Sequence, residues 1–474
     1  MPDFTALFGT AAELIDKTAT NMWWPYAICI LLGTGLFFTI RTGLVQIRRL
    51  PEAARTMMAS QQSSAGGALS PFQAFMTGLA ATIGTGNIVG VATAIVTGGP
   101  GALFWIWCYG FFAMSIKFSE AALGLRFRIA RGEQTLAGPM YYLRDGLGSP
   151  AMAWIYAFIA GVACLFTTPF TQPNSIATVI ESQMKRDSLG LNDWQVGGYD
   201  VSLNRLAIGV VLAVLTWLVI VGGVKSIGRV AEKLSPLKVG FYMIGGLIVI
   251  GMNISRLPEV LELVFREAFS LRPIAGATVG GLMGTAMGQA LRYGLARGAY
   301  ANEAGYGTAA VVYGVAKSDR PEQQGLNAMM EVFIITFVTS TISALTILLT
   351  ATWSIEGIEG PGAISEAFNS ALPNVGGWML AFSVFLFGYT TLMGWSFYGE
   401  QFLEYLFGPR IIAPYRWIYC ALIPLGAIAK VNVVWAWGDI LNGAQILPNL
   451  VGLFALSGLA AKFAYSREKE SQKG

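Results

Sequence analysis

Gly84, Thr85, Gly86 and Asn87 are the residues whose types fit their surroundings least, because they interrupt an apolar segment that runs from 71 to 96. The segment is long enough to cross a bilayer as a helix, but each glycine costs a helix interior about 1 kcal/mol relative to alanine. Threonine and asparagine side chains also compete for backbone hydrogen bonds. We therefore expect a helix break, which in lipid requires protein or a water-filled cavity around the freed groups. Such breaks are typical of transporter binding sites.

A break of this kind exposes backbone groups with opposite binding properties. The half-helix after it presents free N–H groups and a positive dipole end, so the amides of Thr85 and Gly86 are predicted to face an anionic substrate group. The half before it ends in carbonyl oxygens, which suit a small hard cation such as sodium. The alternative is a glycine kink that only packs. The candidate sodium ligands here are the carbonyls of Ala80, Thr82 and Ile83, and the side chain of Asn87 could serve either ligand.

Two polar clusters in later apolar segments are candidates for the walls of the same site. Gln172 and Asn174 flank a proline that cannot continue normal helix bonding, although an external helix end would explain them equally. Thr390 and Thr391 lie one turn before Trp395. Their adjacent hydroxyls are candidate sodium ligands, and the alternative is that they bond their own helix backbone.

Lys117 and Glu120 are charged residues within another apolar segment, and such residues are functional candidates by default. Their spacing of three predicts an ion pair. Near a helix end, where a lysine can reach the interface, the pair is expected to be structural.

The composition indicates a polytopic helical membrane protein. Of the 474 residues, 54% are hydrophobic and 12% are charged, whereas soluble proteins carry about 25% charged residues. The mean hydropathy is +0.56. The apolar runs are continuous, which argues against a transmembrane barrel, whose segments alternate. The lipid bilayer is therefore the expected surrounding.

Several kinds of chemistry are excluded by what the sequence lacks. It contains no histidine, which removes histidine-ligated haem, most zinc chemistry and a histidine proton relay. It has no phosphate-binding GKS or GKT pattern, so no nucleotide-driven motor is expected. The four cysteines lie in apolar segments and are predicted to be buried, unpaired thiols. We expect no cofactor other than a coupling sodium ion, no nucleic acid and no obligate protein partner.

The apolar segments predict eleven transmembrane helices. The loops after spans one, three, five and seven are basic, as is the C-terminal tail, which places them in the cytoplasm by the positive-inside rule. The N-terminus is then outside and the C-terminus inside a cell (inner or plasma) membrane. The predicted spans are 25–40, 71–96, 102–125, a fourth from about 152, 206–224, 237–254, 274–291, 330–349, 376–397, 417–428 and 440–463.

Spans two and seven lie five helices apart and run in opposite directions. Span seven is rich in glycine, which fits either a second broken helix or close helix packing. We therefore predict a core, 71–464, of two inverted five-helix repeats at about 71–254 and 274–464. Residues 1–70 would supply an amphipathic segment, the first span and a linker, and 465–474 a cytoplasmic tail.

The polar stretch 297–307 follows predicted span seven and is expected to be cytoplasmic. Our hypothesis is that Arg297 and Glu303 help to close a cytoplasmic gate. The alternative is a capped turn.

Four motifs together resemble the alanine or glycine:cation symporter family, over roughly 24–461. The resemblance implies an all-α, leucine-transporter-like five-plus-five inverted repeat after one extra helix, with uptake of alanine or glycine coupled to sodium or sometimes to protons. The motifs are GTGNIVGVATAI (84–95), GPGALFWIW (99–107), RGAYANEAG (297–305) and GWSFYG (394–399).

The resemblance also implies roles for individual residues. Pro173 departs from the family pattern, in which a small residue is usual, and this bears on substrate preference more than on transport. By analogy with the wider fold, the amides of Thr85 and Gly86 hold the substrate carboxylate, the carbonyls of Ala80 and Ile83 with the hydroxyls of Thr390 and Thr391 hold one sodium, and Gln172 and Trp395 border the substrate.

These features predict a secondary active transporter that moves sodium and a small neutral amino acid together by alternating access. Proton coupling is the main alternative, but the clear intramembrane acids are only Glu120 and Glu331. An ion channel would need a continuous pore, and a membrane-embedded enzyme would need a nucleophile–base pair or a metal cluster that the sequence does not offer.

Overall fold

A computed structural model of the chain describes most of the predicted core. The predicted N-terminal amphipathic segment, most of the linker before residue 71 and most of the tail lie outside the described residues. The described residues are Thr18 and the ranges 22–58, 66–132, 134–184, 194–196, 199–273 and 281–466.

The first half of the described chain is helical, with two small antiparallel hairpins. Helix α3 begins at a capping box, in which the Ser70 hydroxyl accepts from the Gln73 N–H and the Gln73 side chain accepts from the Ser70 N–H. Proline at the first position of a helix, as at Pro71 and Pro150, marks further starts. The elements are α1 (Ile28–Arg41), α2 (Leu50–Met58), α3 (Pro71–Thr82), α4 (Val89–Gly98), α5 (Ala102–Arg126), β1 (Ile129–Arg131), β2 (Gln134–Leu136), α6 (Pro150–Phe166), α7 (Thr168–Gln183), β3 (Trp194–Val196), β4 (Tyr199–Val201), α8 (Leu203–Ile220) and α9 (Gly223–Met252).

In the second half, the residues that the structure describes form helices and no strand. Helix α10 lies between the segments of the two predicted repeats, and α15 is a helix that the sequence patterns did not predict. The elements are α10 (Leu257–Ala268), α11 (Ala286–Asn302), α12 (Thr308–Gly314), α13 (Pro321–Phe333), α14 (Thr341–Leu349), α15 (Gly360–Ala371), α16 (Gly376–Phe407), α17 (Ile412–Ile428), α18 (Val431–Ala455) and α19 (Ser457–Tyr465).

The predicted fold class, an all-α membrane protein, is confirmed. Among the described residues, seven helices are long and apolar enough to span a membrane, or up to nine if each strongly bent pair is one span. The bent pairs are α3 with α4 and α18 with α19, each at 65°. Helix α1 is a shorter apolar helix. The number eleven, the inverted repeat and its domain boundaries stay predictions.

Span seven was placed too early in the chain. The helix predicted at 274–291 begins at Ala286 and continues to Asn302, and 274–280 lies outside the described residues. The stretch 297–307, predicted as a loop, therefore contains the end of a helix. The arginines at 292 and 297 suggested a loop, but half-buried side chains that find polar or aromatic partners are tolerated inside a helix.

The predicted break of span two is confirmed. Helix α3 ends at Thr82, Gly84 adopts an extended conformation, and a 3₁₀ turn, Thr85–Asn87, leads into α4. The turn and both half-helices pack against other helices, α9 and α16 on α3, and α11 and α15 on α4. The break is therefore enclosed by protein, as the bilayer requires.

A second break lies between α11 and α12. Glu303 there has a φ of 55°, Gly305 of 93° and Gly307 of 86°. These left-handed conformations end α11 and redirect the chain into α12. For glutamate this conformation is uncommon, and such residues concentrate at functional sites.

Two side chains of α5 support the second break, which corrects the predicted Lys117–Glu120 ion pair. The Lys117 ammonium donates to the Asn302 carbonyl at 2.8 Å and lies 3.3 Å from the Glu331 carboxylate. Glu120 Oε1 accepts from the N–H groups of Gly305 (2.9 Å) and Gly307 (3.1 Å). The cation thus lies at the end of α11 and the carboxylate before the start of α12, where the helix dipoles favour each charge. Lys117 and Glu120 thus bond groups on other elements, and they do not form the ion pair that their spacing predicted.

The four cysteines are unpaired, as predicted, but they are not all buried. Cys164 and Cys420 are buried, Cys108 is partly buried and Cys29 is exposed. An apolar segment in a membrane protein has a lipid-facing side, so an apolar sequence does not by itself predict burial.

Glu120→Ala is expected to lower the apparent melting temperature in detergent by several degrees, because two buried backbone N–H groups and the Asn449 side-chain amide lose their acceptor. Each such unpaired donor costs about 1–3 kcal/mol. Glu120→Gln keeps an acceptor oxygen and should lose less. Glu366→Ala, which removes an exposed glutamate, should melt like the wild type. A Glu120→Ala protein with wild-type melting would show that Glu120 does not hold the second break.

Candidate functional site

A cavity lies where the two breaks face each other. Its empty volume is about 330 Å³, counting the part open to solvent. The walls come from both breaks, from the start of α7 and from α16 and α18. The lining residues are Thr82, Gly84, Gly86, Asn87, Thr167, Thr168, Gln172, Tyr300, Glu303, Tyr306, Thr391, Trp395 and Asn442.

The first break contributes backbone at close range. An added Cβ at Gly84 would lie 2.8 Å from Thr391 Oγ1 and 3.0 Å from Gln172 Oε1, so only glycine leaves these side chains in place. The Thr85 N–H donates to Gln172 Oε1 at 3.0 Å. The Gln172 side chain is therefore the hydrogen-bond acceptor of the Thr85 amide, which the sequence analysis predicted to bind the substrate.

The amides around Pro173 separate into two roles. Gln172 reaches the cavity because the chain bends between α6 and α7, at Thr167. Asn174 points elsewhere and donates to the carbonyls of Gly426 (3.1 Å) and Ala429 (2.7 Å) at the end of α17. It caps a helix and lies outside the cavity.

Asn87 connects the first break to the segment between α13 and α14. Its Nδ2 donates to the Thr82 carbonyl at 3.2 Å, and its Oδ1 is 3.5 Å from the Ser340 hydroxyl. The Ser343 hydroxyl donates to the Asn87 carbonyl at 2.7 Å. Asn87 thus lines the cavity and also bridges the two ends of its own break.

Glu303 is the one charged residue among the described lining residues. It is buried, and its Oε1 accepts from Trp395 Nε1 at 2.8 Å. Its Oε2 accepts from the Thr308 hydroxyl at 2.9 Å, at the start of α12. A carboxylate and an indole N–H are therefore held side by side in the cavity wall.

Arg297 lies within α11, before the helix ends at Glu303, but makes different contacts. Its guanidinium is 3.5 Å from the Asp439 carboxylate of α18. It also lies over the rings of Trp435 (5.1 Å) and Tyr300 (5.9 Å), an arrangement that stabilises a cation. Arg297 and Glu303 are thus not direct partners, and the gate hypothesis stays a prediction.

Part of the predicted sodium ligand set surrounds a lysine. Lys238 of α9 is fully buried, and its Nζ lies 2.7 Å from the Ile83 carbonyl and 3.1 Å from the Ala80 carbonyl. It is also 2.6 Å from Thr390 Oγ1. The Thr391 hydroxyl donates to the Ala80 carbonyl at 3.1 Å. Thus the sequence-predicted oxygens do converge, and they converge on an ammonium group.

The structure therefore divides the predicted residues. The cavity is lined by Thr82, Gly86, Asn87, Gln172, Thr391 and Trp395. Thr85 is joined to the cavity through its hydrogen bond to Gln172. The remaining predicted residues contact Lys238, and they are Ala80, Ile83 and Thr390.

Sequence reasoning missed several lining residues and the buried Lys238 behind the cavity. Tyr300 and Tyr306 belong to the stretch 297–307, which was predicted to be a loop outside the membrane core. Asn442 belongs to a predicted span whose sequence gave no indication of a binding site. Lys238 sits near the start of a predicted span, where a lysine is expected to reach the interface. The break at Gly84 was found because glycine and asparagine violate helix propensity, and no such violation marks the other residues.

Comparisons with known proteins agree with this architecture. The profile of the sodium:alanine symporter family matches residues 9–474. The chain is 37% identical over 456 residues to the sodium/alanine symporter AgcS of Methanococcus maripaludis, covering 94% of this chain and 95% of that protein. It is 32% identical to the probable sodium/glutamine symporter GlnT of Bacillus subtilis, covering 95% and 90%.

Among solved structures, a manganese transporter of Eremococcus coleocola has the same fold. The TM-score is 0.54 at 13% sequence identity, over 85% of this chain and 83% of that chain. Such a low identity shows the fold alone. The family match over nearly the whole length and the identity to relatives carry the assignment, and they confirm the resemblance found in the sequence motifs. The chain belongs to the sodium:alanine symporter family, a family of multi-pass membrane transporters.

Proposed function

We propose that this transporter is a symporter that couples sodium influx to the uptake of a small neutral amino acid such as alanine or glycine. The observation that carries the proposal is the cavity between two broken helices, with helix ends and a single carboxylate in its described walls. Amino-acid carriers need partners for a carboxylate and an ammonium group at once. The names of the relatives, which include sodium/alanine and probable sodium/glutamine symporters, support the same class.

The substrate carboxylate would bind the amides of Thr85 and Gly86 at the start of the second half of the broken helix. It would replace Gln172 Oε1 as the acceptor of the Thr85 N–H. The positive end of the half-helix favours this exchange. Gln172 would then border the bound substrate.

The substrate ammonium would face Glu303, whose carboxylate stays in place through Trp395 and Thr308. The cavity wall near Glu303 includes the bulky side chains of Trp395 and Tyr306, which are buried against the rest of the protein. They would favour a substrate with a small side chain. Buried polar groups that a wrong ligand leaves unpaired would add to the discrimination.

Sodium would bind at the first break through the Thr82 carbonyl and the Asn87 side chain. At present the Asn87 amide nitrogen donates to that carbonyl. A cation entering there would displace this bond and gain two oxygens if the Asn87 amide turned its Oδ1 inward. The nearby chain also carries buried hydroxyls without partners, on Thr82 and Thr339. Oxygen ligands of this kind suit a hard cation.

Alternating access would follow from the two breaks, with sodium and substrate together favouring closure of the halves around the cavity. We propose the orientation predicted from the basic loops, with the N-terminus outside and the C-terminus in the cytoplasm.

Proton coupling is the second candidate, because the cavity holds one buried carboxyl group, Glu303, and because Lys238 occupies part of the predicted sodium ligand set. In that case Glu303 would carry the transported proton. The two candidates differ in the ion gradient that drives uptake.

Uptake into proteoliposomes tests the proposal. Labelled alanine and glycine should accumulate with an inward sodium gradient and fall to the background of protein-free vesicles when choline replaces sodium. A proton gradient alone should drive no accumulation. Accumulation with protons and without sodium would establish the second candidate, and no sodium stimulation for any small amino acid would contradict the first.

Asn87→Ala is expected to abolish sodium-dependent alanine binding in detergent, measured by calorimetry, because it removes the side-chain oxygen proposed for sodium. The matched control is Asn174→Ala, which removes a buried asparagine that caps α17 outside the cavity. It should lower thermal stability while leaving binding within about twofold. Unchanged binding by a folded Asn87→Ala protein would remove Asn87 from the site.

Gly84→Ala should lower alanine affinity at least about tenfold, because the new methyl group would push against Thr391 and Gln172 at the cavity. The control is Gly90→Ala on the same broken helix, where the nearest atom to a new Cβ is Arg297 Cδ at 3.8 Å. This variant should bind alanine like the wild type. Equal affinities for all three proteins would place the substrate elsewhere.

A further inference from the structure

The buried lysine behind the cavity makes contacts that resemble those of a bound metal cation. Four oxygens lie within 3.4 Å of Lys238 Nζ, namely the carbonyls of Leu79 (3.4 Å), Ala80 (3.1 Å) and Ile83 (2.7 Å) and the Thr390 hydroxyl (2.6 Å). An ammonium group has three N–H donors. The Lys238 ammonium is therefore surrounded by four oxygens, one more than its three N–H groups can bond separately.

No carboxylate balances this charge directly. Among the residues that the structure describes, Lys238 has no acidic side chain within ion-pair distance, and the nearby Glu331 pairs with Lys117. The charge is met by the carbonyl end of α3, where the helix dipole is negative, and by the face of Phe387, whose ring centre is 5.3 Å away. Carbonyls, a hydroxyl and a dipole end are also what a small metal cation uses in a protein.

The helix that carries Lys238 is fixed against this end of α3. One turn earlier on α9, the Ser235 hydroxyl donates to the Met76 carbonyl at 2.9 Å. The lysine side chain is thus anchored at its base and reaches the oxygens from a single direction. It is a positioned group and not a flexible chain passing to the surface.

We propose that the ammonium of Lys238 is a built-in cation that occupies the oxygen site formed by Ala80, Ile83 and Thr390, so that this site takes no sodium in the wild-type protein. One coupling site then remains, at Thr82 and Asn87, and one sodium ion accompanies each amino acid. The number of ions rests on the proposed symport function, whereas the occupancy of the oxygen site does not.

The oxygen site should accept sodium once the lysine is removed, and thermal unfolding in detergent without amino acid measures this. Lys238→Ala should melt below the wild type in choline chloride. Sodium chloride at the same ionic strength should raise its melting temperature by about 5 °C more than it raises that of the wild type. The gain should disappear in Lys238→Ala/Thr390→Val, which lacks the hydroxyl ligand.

The matched control is Lys117→Ala, since Lys117 is, within the described part of the chain, the other buried lysine that donates to a helix-end carbonyl. It should also lose stability, but sodium should raise its melting temperature less than that of Lys238→Ala, because Lys117 contacts one carbonyl and the Glu331 carboxylate and no cluster of four oxygens. An equal response of Lys238→Ala and the wild type to sodium would overturn the proposal. So would an equal sodium gain in the single and double Lys238 variants.

The wild-type protein supplies a test that does not depend on the folding of a variant. The sodium-to-alanine ratio, measured from the membrane potential at which net flux reverses in proteoliposomes, should be one. A ratio of two would overturn the proposal. If wild-type uptake shows no sodium dependence, the proposed symport function fails, while the unfolding comparison still decides whether the lysine fills a cation site.

Discussion

In the membrane interior, a backbone N–H or C=O that leaves a helix must find a partner within the protein, and the centre of this transporter is arranged around that constraint. Both breaks are held by side chains from other helices. Lys238 satisfies the carbonyls at the end of α3, and Lys117 satisfies the Asn302 carbonyl at the end of α11. Glu120 accepts from the amides before α12. Charged groups carry most of this support, and each lies at the helix end whose dipole favours it.

The groups around the cavity differ in how they are held. Groups that stabilise the breaks are buried behind the cavity, whereas groups that line it are held by bonds a ligand can replace. The Thr85 amide is paired with Gln172 and the Thr82 carbonyl with the Asn87 side chain. Each pair is neutral, so exchange for a charged ligand exposes no buried charge. A carboxylate and a cation, brought together, would make stronger bonds than those they displace.

Glu303 joins the two breaks. Its left-handed backbone ends α11, and its carboxylate meets Trp395 of α16 in the wall of the cavity. If the substrate ammonium binds Glu303, as proposed, binding would act directly on the residue that forms the helix break.

Local chemistry was enough to determine some of this from the sequence. The composition required a bilayer, and Gly84 to Asn87 required a broken helix, because propensity and hydrogen bonding act within a few residues. The convergence of Ala80, Ile83 and Thr390 also followed from a resemblance in sequence motifs. A second broken helix was one of two predictions for the glycine-rich span seven, but the structure places the second break later, at 303–307. Its position depends on contacts with α5 that are distant in sequence.

Only the tertiary structure decided which atoms face one another. It separated Gln172, in the cavity, from Asn174, at the end of α17, and it replaced the expected Lys117–Glu120 pair with bonds to the second break. It also brought Lys238 to oxygens more than 150 positions away in the chain on either side. The spacing of two residues in the sequence predicts whether they share a face of a helix. The partner of a buried charge depends instead on which polar groups lie beside it once all the helices have packed.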